Sequence, residues 1–285
     1  MTQLADAPEI RTPGMRLRDR IAVVVGGGQQ PGETVGNGRA AALRYAQEGA
    51  AVLVADLNLE AAEETARAIG EAGGHAAAIR TDVTREEDCT ALIAACIERH
   101  GRIDILHNNV GMTEGERDLA SLDVAVWDHL QNLNVRSLFL TIRAALPHMR
   151  AQQGGVITNI SSIASVSYLK APVYSTTKAA VNALTRQVAL GNAAHGIRCN
   201  VILPGFIDTP LSIERRHREQ GIDRDTVRAE RNAKVPLRGG MGSAWDVANA
   251  AIFLASDEGR FITGIELPVD GGQSALAGYR TGADL

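Results

Sequence analysis

In the run YSTTK, residues 174 to 178, a tyrosine and a lysine stand four apart at the head of the amphipathic stretch AAVNALTRQVAL. On a helix that spacing stacks both side chains on one face. An ammonium close to a phenol favours the phenolate and moves the hydroxyl from its usual value of about 10 toward neutrality, as a proton-transferring acid or base requires. Tyr174 and Lys178 are thus the first candidates for chemistry. A lone Tyr-x-x-x-Lys arises by chance on many helices, so its weight comes from its neighbours. The preceding apolar run ends NISS, where Ser161 or Ser162 can present a hydroxyl beside the phenol, and Asn134 in NLNVRS lies on an earlier helical stretch.

A second group of residues has the types that hold a nucleotide. The stretch VVVGGGQQPGETVGNGRAAA, residues 23 to 42, reads as a strand, a glycine-rich turn and a helix, although the Gly36-Asn37-Gly38 turn begins nine positions after Gly27. Glycines before a helix let backbone N–H groups approach an anion. At the end of the next strand, VLVAD, Asp56 stands eighteen residues after Gly38, close to where an acid accepts hydrogen bonds from an adenosine ribose. That carboxylate repels a 2′-phosphate, and Leu57, Asn58 and Leu59 offer no cation to offset it, so NAD is expected over NADP. The competing role for Asp56 is to cap the following helix. Asp82 and Val83 in TDV, and Asn109, Val110 and Gly111 in NNVG, end the next two strands on the same rim.

The elements that must position these groups alternate in type. Short β-branched runs (IAVVVG, AVLVAD, HAAAIRTD, IDILHNN, GVITNISS, IRCNVILPG, GIELPVDGG) are separated by longer amphipathic segments, including one helical stretch through 123 to 150 and one through 174 to 194. Seven strands with helical crossovers predict an α/β fold: a doubly wound, Rossmann-type parallel sheet with helices on both faces, in one domain over residues 17 to 275. Residues 1 to 16 read as a tail or arm and 276 to 285 as a C-terminal tail. Residues 208 to 243 are irregular, charged and follow a strand end, which suits a lid over a site. Within them RRHR, residues 215 to 218, lies among Glu214, Glu219 and Asp223, and a solvated helix face is the simpler account of it than an anion site.

A formal charge of −4 and 45% hydrophobic residues exclude little beyond nucleic acid as a partner. No apolar run has the length of a signal peptide core or a membrane span. Cys89 and Cys96 sit about 10 Å apart along a helix, too far for a disulfide, and with Cys199 in an apolar run a reducing, cytoplasmic setting is expected. The histidines show no ligand-like spacing, so no metal is expected, and His107 reads as a packing residue.

Taken in order along the chain, these motifs resemble the short-chain dehydrogenase/reductase family in its single-domain form, over about residues 17 to 275. The resemblance implies NAD-dependent interconversion of a secondary alcohol and a ketone, with Tyr174 exchanging the proton and Lys178 binding the nicotinamide ribose and tuning the phenol. A serine orients the substrate oxygen, and Asn134 supports a water relay. Alignment on the strand end gives Ser162 for the serine, whereas the family's usual count back from the tyrosine gives Ser161. PGFIDTPL looks like the segment that touches the nicotinamide, with Pro204, Gly205, Ile207 and Thr209 as contacts. The family's T-G-x-x-x-G-x-G is matched at Gly36 and Gly38. Gly27 is expected to keep the first glycine's place, with about five residues of GQQPGETV inserted, Gly26 replacing the threonine and Val110 the alanine of NNAG. Gln29, Gln30, Glu33 or Thr34 folding over the cofactor competes with a plain solvent loop. Met112, Tyr168, Leu169, Phe206 and the lid are expected to line a mostly apolar pocket, and the assembly implied is a homotetramer. The rival functions are a catalytically silent NAD-binding regulator or scaffold, and an epimerase or dehydratase, whose larger C-terminal domain the roughly 110 residues after Tyr174 do not supply.

Overall fold

The computed structural model describes residues 15–276. Its strands and helices follow in the order β1 (Ile21–Val25), α1 (Asn37–Gln47), β2 (Ala51–Asp56), α2 (Leu59–Glu71), β3 (His75–Arg80), α3 (Glu86–His100), β4 (Ile105–Asn108), α4 (Val124–Gln131), α5 (Ser137–Gln152), β5 (Gly155–Ile160), α6 (Pro172–Asn192), β6 (Ile197–Pro204), β7 (Ile207–Asp208), α7 (Pro210–Gln220), α8 (Arg224–Asn232), β8 (Gly242–Ser243), α9 (Ala244–Ala255) and β9 (Glu266–Val269). Seven strands form one parallel sheet in the order β3-β2-β1-β4-β5-β6-β9, and β7 pairs with β8 apart from it. The order reverses between β1 and β4, where Val25 pairs with Ala55 on one side and Asn108 on the other. Outside the carboxyl ends of the strands at such a reversal a crevice opens, because the crossovers leave to opposite faces.

Period two along the strands divides the core into two layers. Val23 and Val25 pack with Leu53, Leu106 and Ile157 against Leu92 of α3, Leu138 of α5 and Val181 of α6. Their neighbours Ala22 and Val24 face the other way, against Tyr45 of α1, Ile69 of α2 and Ile252 of α9. Each fully buried Leu or Ile contributes about 1.5–3 kcal/mol of transfer free energy. With both faces covered, the central strands carry near-continuous apolar runs.

Several helix boundaries follow from local chemistry. Three acids, Glu86, Glu87 and Asp88, start α3, and Gly101 ends it in the left-handed region at φ 72°. The Asn58 side chain accepts from Ala61 N and caps α2, which takes that role from Asp56. The stretch read as one helix through 123 to 150 is broken by a π-turn at Asn132–Arg136, with Asn134 inside it. The catalytic-candidate helix starts at Pro172 rather than at Tyr174, because proline's fixed φ and missing N–H suit the first helical position.

The irregular stretch 208 to 243 holds β7, α7, α8 and β8. Arg16, placed in the tail by sequence, pairs with the buried Glu48, as does Arg44; residues 1–14 of that tail and 277–285 of the C-terminal one lie outside the described residues. The three cysteines are buried and unpaired.

Candidate active site

Tyr174 and Lys178 sit one turn apart on the first turns of α6, whose N-terminus is held by Glu116: its carboxylate accepts from Val173 N at 3.4 Å and Tyr174 N at 2.5 Å. Lys178 is 2% exposed. Its Nζ donates to the Ile160 carbonyl at 2.9 Å and lies 5.5 Å from the Tyr174 ring centroid. A Cβ on Gly111 would come within 2.7 Å of that Nζ, so glycine leaves the room the ammonium occupies. Burial lowers the Lys178 pKa to about 8. Burial also pushes the Tyr174 hydroxyl above its ordinary value, against which the hydrogen bond with Ser162 and the Arg215 charge act. Lys178 thus combines a bond to the strand carbonyl with a position over the phenol ring.

The two serines separate cleanly. The Ser162 hydroxyl is the one that acts on the Tyr174 hydroxyl and lowers its pKa, and it accepts from Ala164 N at 3.1 Å. Ser161 Oγ donates instead to the Lys178 carbonyl at 3.0 Å, away from the phenol. Asn134, 1% exposed, ties three elements together. Its Oδ1 accepts from Met112 N at 2.8 Å, and its Nδ2 donates to the Met112 carbonyl at 2.9 Å and to Thr177 Oγ1 at 3.1 Å.

On the other side of the cleft the glycine turn opens at Gly26, not Gly27: Gly26 has φ 76°, and Gly26 N and Gly27 N both donate to the Ala55 carbonyl. Gly27 packs against Val54 and Val24 and does not reach the cleft wall, whereas Gly26 and Gly28 do. A Cβ on Gly38 would lie 1.9 Å from the Gly26 carbonyl oxygen, so α1 rests directly on the turn. At Gly36, the helix N-cap, a Cβ would meet nothing within 4 Å.

These features fit a dinucleotide. The N-terminus of α1 has no capping side chain and no acid in its first turn, so its first N–H groups face a pyrophosphate without a competing side chain, and the buried Asn37 Oδ1 has no partner among the described residues. Asp56 uses one oxygen to accept from Gly28 N at 2.9 Å and the other from Asn58 N at 3.1 Å, which leaves lone pairs for a ribose diol. Arg39, the cation nearest in sequence to the turn, is committed to Glu64 of α2. Asn109 Nδ2 donates to the Gly26 carbonyl at 3.0 Å and locks the rim of β4 to the turn.

The inserted residues are neither a free loop nor wholly a cofactor cover. Gln29 accepts from Gly36 N at 3.3 Å and donates to the Gln30 and Thr34 carbonyls, and Gln29, Gln30 and Pro31 line the cleft. Glu33 turns outward to Arg228 of α8 at 2.8 Å, Thr34 Oγ1 reaches Asp208 at 3.4 Å, and Gly32 abuts Pro210 and Glu214 of α7. The insert therefore joins the glycine turn to the lid.

One cleft of about 1530 Å³ brings these groups together. Asn37, Leu57, Asp82, Val83, Val110, Gly111, Pro204, Gly205, Ile207 and Thr209 all line it, as do Met112, Tyr168, Leu169 and Phe206. The RRHR run departs from the expected solvated face. Arg215 and Arg216 look into the cleft because Leu211, Ser212, Arg215, Arg216 and Glu219 recur at helical spacing on one side of α7. His107 is buried against Tyr45, whose hydroxyl lies 3.0 Å from its Nδ1, and burial lowers its pKa to about 4. Among the described residues no group of three metal-ligating side chains converges, and no helix is long and apolar enough to cross a membrane.

Residues 33–274 match the family described as enoyl-(acyl carrier protein) reductase. The 2-(R)-hydroxypropyl-CoM dehydrogenase of Xanthobacter autotrophicus is 39% identical over 261 residues, covering 90% of this chain and 99% of the relative. The chain belongs to the short-chain dehydrogenase/reductase family. The cis-4-hydroxycyclohexanecarboxylate dehydrogenase of Sinomonas cyclohexanicum is likewise 39% identical, over 92% of this chain and all of the relative. A solved short-chain dehydrogenase/reductase from Burkholderia xenovorans superposes with a TM-score of 0.86 at 38% identity, covering 92% of this chain and 98% of that one. As a member of this family the chain is an oxidoreductase. Sequence reasoning missed Glu116, Gly26 and the inward face of α7; the last carried a signal, the i, i+4 spacing of Leu211 and Arg215.

Proposed function

We propose that the chain is an NAD-preferring dehydrogenase of secondary alcohols, working through Tyr174, Ser162, Lys178 and Asn134. The observation that carries this reading is the convergence, in one cleft, of Tyr174, Ser162 and Lys178 with Asp56 and the uncapped N-terminus of α1. When bound, the nicotinamide cofactor supplies or accepts the hydride. Gly36, Asn37 and Gly38 would hold its pyrophosphate, Asp56 its adenosine ribose, and Asn109, Ile207 and Thr209 would line its path toward Tyr174. Gly27 supports that turn from behind.

In the alcohol-to-ketone direction the substrate hydroxyl hydrogen-bonds to Ser162 and gives its proton to the Tyr174 phenolate; in the other direction the Tyr174 phenol returns it. Lys178 is buried and tied to the Ile160 carbonyl, so its charge is held in place beside the phenol. Asn134 ties Met112, in the segment after β4, to Thr177 of α6, and so fixes the floor of the cleft. We further infer a cytoplasmic homotetramer, for which exposed Phe139 on α5 and Leu190 on α6 offer apolar surface; light scattering after gel filtration checks the assembly.

The reaction is tested by following NADH absorbance with NAD and then NADP over cyclic, aromatic and aliphatic secondary alcohols, alongside Tyr174→Phe. Turnover with NAD that vanishes in the variant supports the reading. NADH binding without turnover of any alcohol would favour a silent cofactor-binding protein instead.

A further inference from the structure

The substrate end of the cleft carries more positive charge than an apolar alcohol would call for. Arg215 and Arg216 enter it from α7 and Arg231 from α8. Arg215 is a quarter exposed and forms a loose ion pair with Glu219, on the next turn, at 3.7 Å, which leaves its buried Nε without a hydrogen-bond partner among the described residues. No hydrogen bond or ion pair satisfies Arg216 among the described residues. Arg231 is 8% exposed, stacked with its guanidinium carbon 4.1 Å from the Phe206 ring centroid, its Nε donating to Met241 Sδ. Two other arginines of the lid are closely matched, Arg224 by Glu214, and Arg228 by Glu33 and Asp208. The inward cations are held more loosely: Arg215 has only the 3.7 Å contact with Glu219, and Arg231 a sulfur acceptor and a ring face.

Three like charges at one end of a cleft are costly: burial and the charges of Arg216 and Arg215 bring the Arg231 pKa down to about 10, and burial with the Arg215 charge lowers that of Arg216. An anion seated among them relieves both the repulsion and the missing hydrogen bonds. The Arg215 charge also acts on the Tyr174 hydroxyl, so this cationic wall belongs to the reacting end of the cleft.

We infer that the substrate is a secondary alcohol, or its ketone, bearing an anionic oxyacid group such as a carboxylate, held by Arg215 and Arg216 while its hydroxyl carbon faces Tyr174 and Ser162. This rests on the alcohol dehydrogenase reading above. Arg231, stacked on Phe206, supplies longer-range charge behind the pair. The oxyacid takes a bidentate or shared contact with guanidinium forks, which lysine at the same place would match less well.

The test compares 3-hydroxycyclohexanecarboxylate with its methyl ester as substrates for the whole enzyme, and for Arg215→Gln, Arg216→Gln and Arg215→Lys, reading the acid-to-ester ratio of kcat/KM. The acid should be preferred, and the ratio should fall about tenfold to a hundredfold in either glutamine variant, with partial recovery in Arg215→Lys. Titrating NADH into each variant separates the alternative source of negative charge. A weakened NADH complex with an unchanged ratio assigns the arginines to the cofactor phosphates and overturns the inference. An equal loss for acid and ester assigns them a structural role and does the same. If no alcohol is turned over, binding of the acid to the NADH-saturated enzyme is measured by calorimetry. Binding that Arg216→Gln abolishes sustains the anion site while the dehydrogenase reading fails; absence of binding removes both.

Discussion

Replacing Gly38 and Gly36 one at a time by alanine separates the two jobs of the glycine turn. Helix propensity favours alanine by up to about 1 kcal/mol at Gly38, inside α1, whereas at Gly36, the N-cap, glycine is modestly preferred. At Gly38 the added Cβ would stand 1.9 Å from the Gly26 carbonyl oxygen, a backbone atom that no rotamer change moves. The start of α1 must shift as a body, an overpacking cost of about 2–3 kcal/mol that outweighs propensity. At Gly36 the backbone is already extended, φ −76° and ψ 153°, and a Cβ meets nothing within 4 Å. Alanine there should leave the folded protein near wild-type stability while projecting into the space an anion needs. Thermal unfolding read by circular dichroism should therefore show Gly38→Ala melting about 5–10 °C lower and Gly36→Ala within about 2 °C of wild type. NADH titration followed by fluorescence should show Kd raised about tenfold or more in both, since each blocks charge-assisted bonds to the pyrophosphate. A stable Gly36→Ala protein that binds NADH as tightly as wild type would refute the assignment of this helix terminus as the phosphate seat.

Other perturbations address the remaining parts of the cleft. Tyr174→Phe should lower kcat by about 10²–10⁴-fold with NADH Kd unchanged, because it removes only the proton donor; parallel turnover and titration measurements check both halves. The folded Lys178 ammonium releases its proton near pH 8, the unfolded one near 10.5. The buried charge thus destabilises the fold fully below pH 8, and the penalty is relieved as pH rises from 8 to 10.5. Lys178→Met should accordingly be inactive yet more stable than wild type at pH 7 by about 1–2 kcal/mol, the advantage fading toward pH 10, as denaturant melts at several pH values would show. Asp56→Ser with Leu57→Arg should move kcat/KM toward NADP by about a hundredfold relative to NAD, read from initial rates with the two cofactors.

The architecture was legible because physics made it repetitive. Strands covered on both faces must be apolar along their length, so β1, β2 and β6 stood out as IAVVV, AVLVAD and IRCNVILP, and the crossovers between them had to be helical. The break at Asn132–Arg136 left no such mark. NLNVR has unremarkable helix propensity, and the π-turn there coincides with the bonds that hold Asn134 to Met112 and Thr177, two partners from distant elements. The same holds for Glu116, whose carboxylate meets Tyr174 N from 58 positions away in sequence.

The reacting pair was legible because it is local: four residues on one helix fix a face whatever surrounds them. What tunes it was not. Whether Ser161 or Ser162 meets the phenol depends on how β5 ends, and the extended backbone at Ser162 turns its hydroxyl toward Tyr174 while Ser161 bonds the Lys178 carbonyl. The charge of RRHR could be read, but its direction could not, since a helix with cations on several faces shows its buried side only once docked. Docking is settled by Glu214: its pairing with Arg224 and its contact with Gly32 put the neighbouring face of α7 against the glycine insert. The rotation that follows carries Arg215 and Arg216 into the cleft. The long glycine loop and the inward arginines are therefore one structural fact, because the insert that lengthens the turn is also the surface that orients the lid.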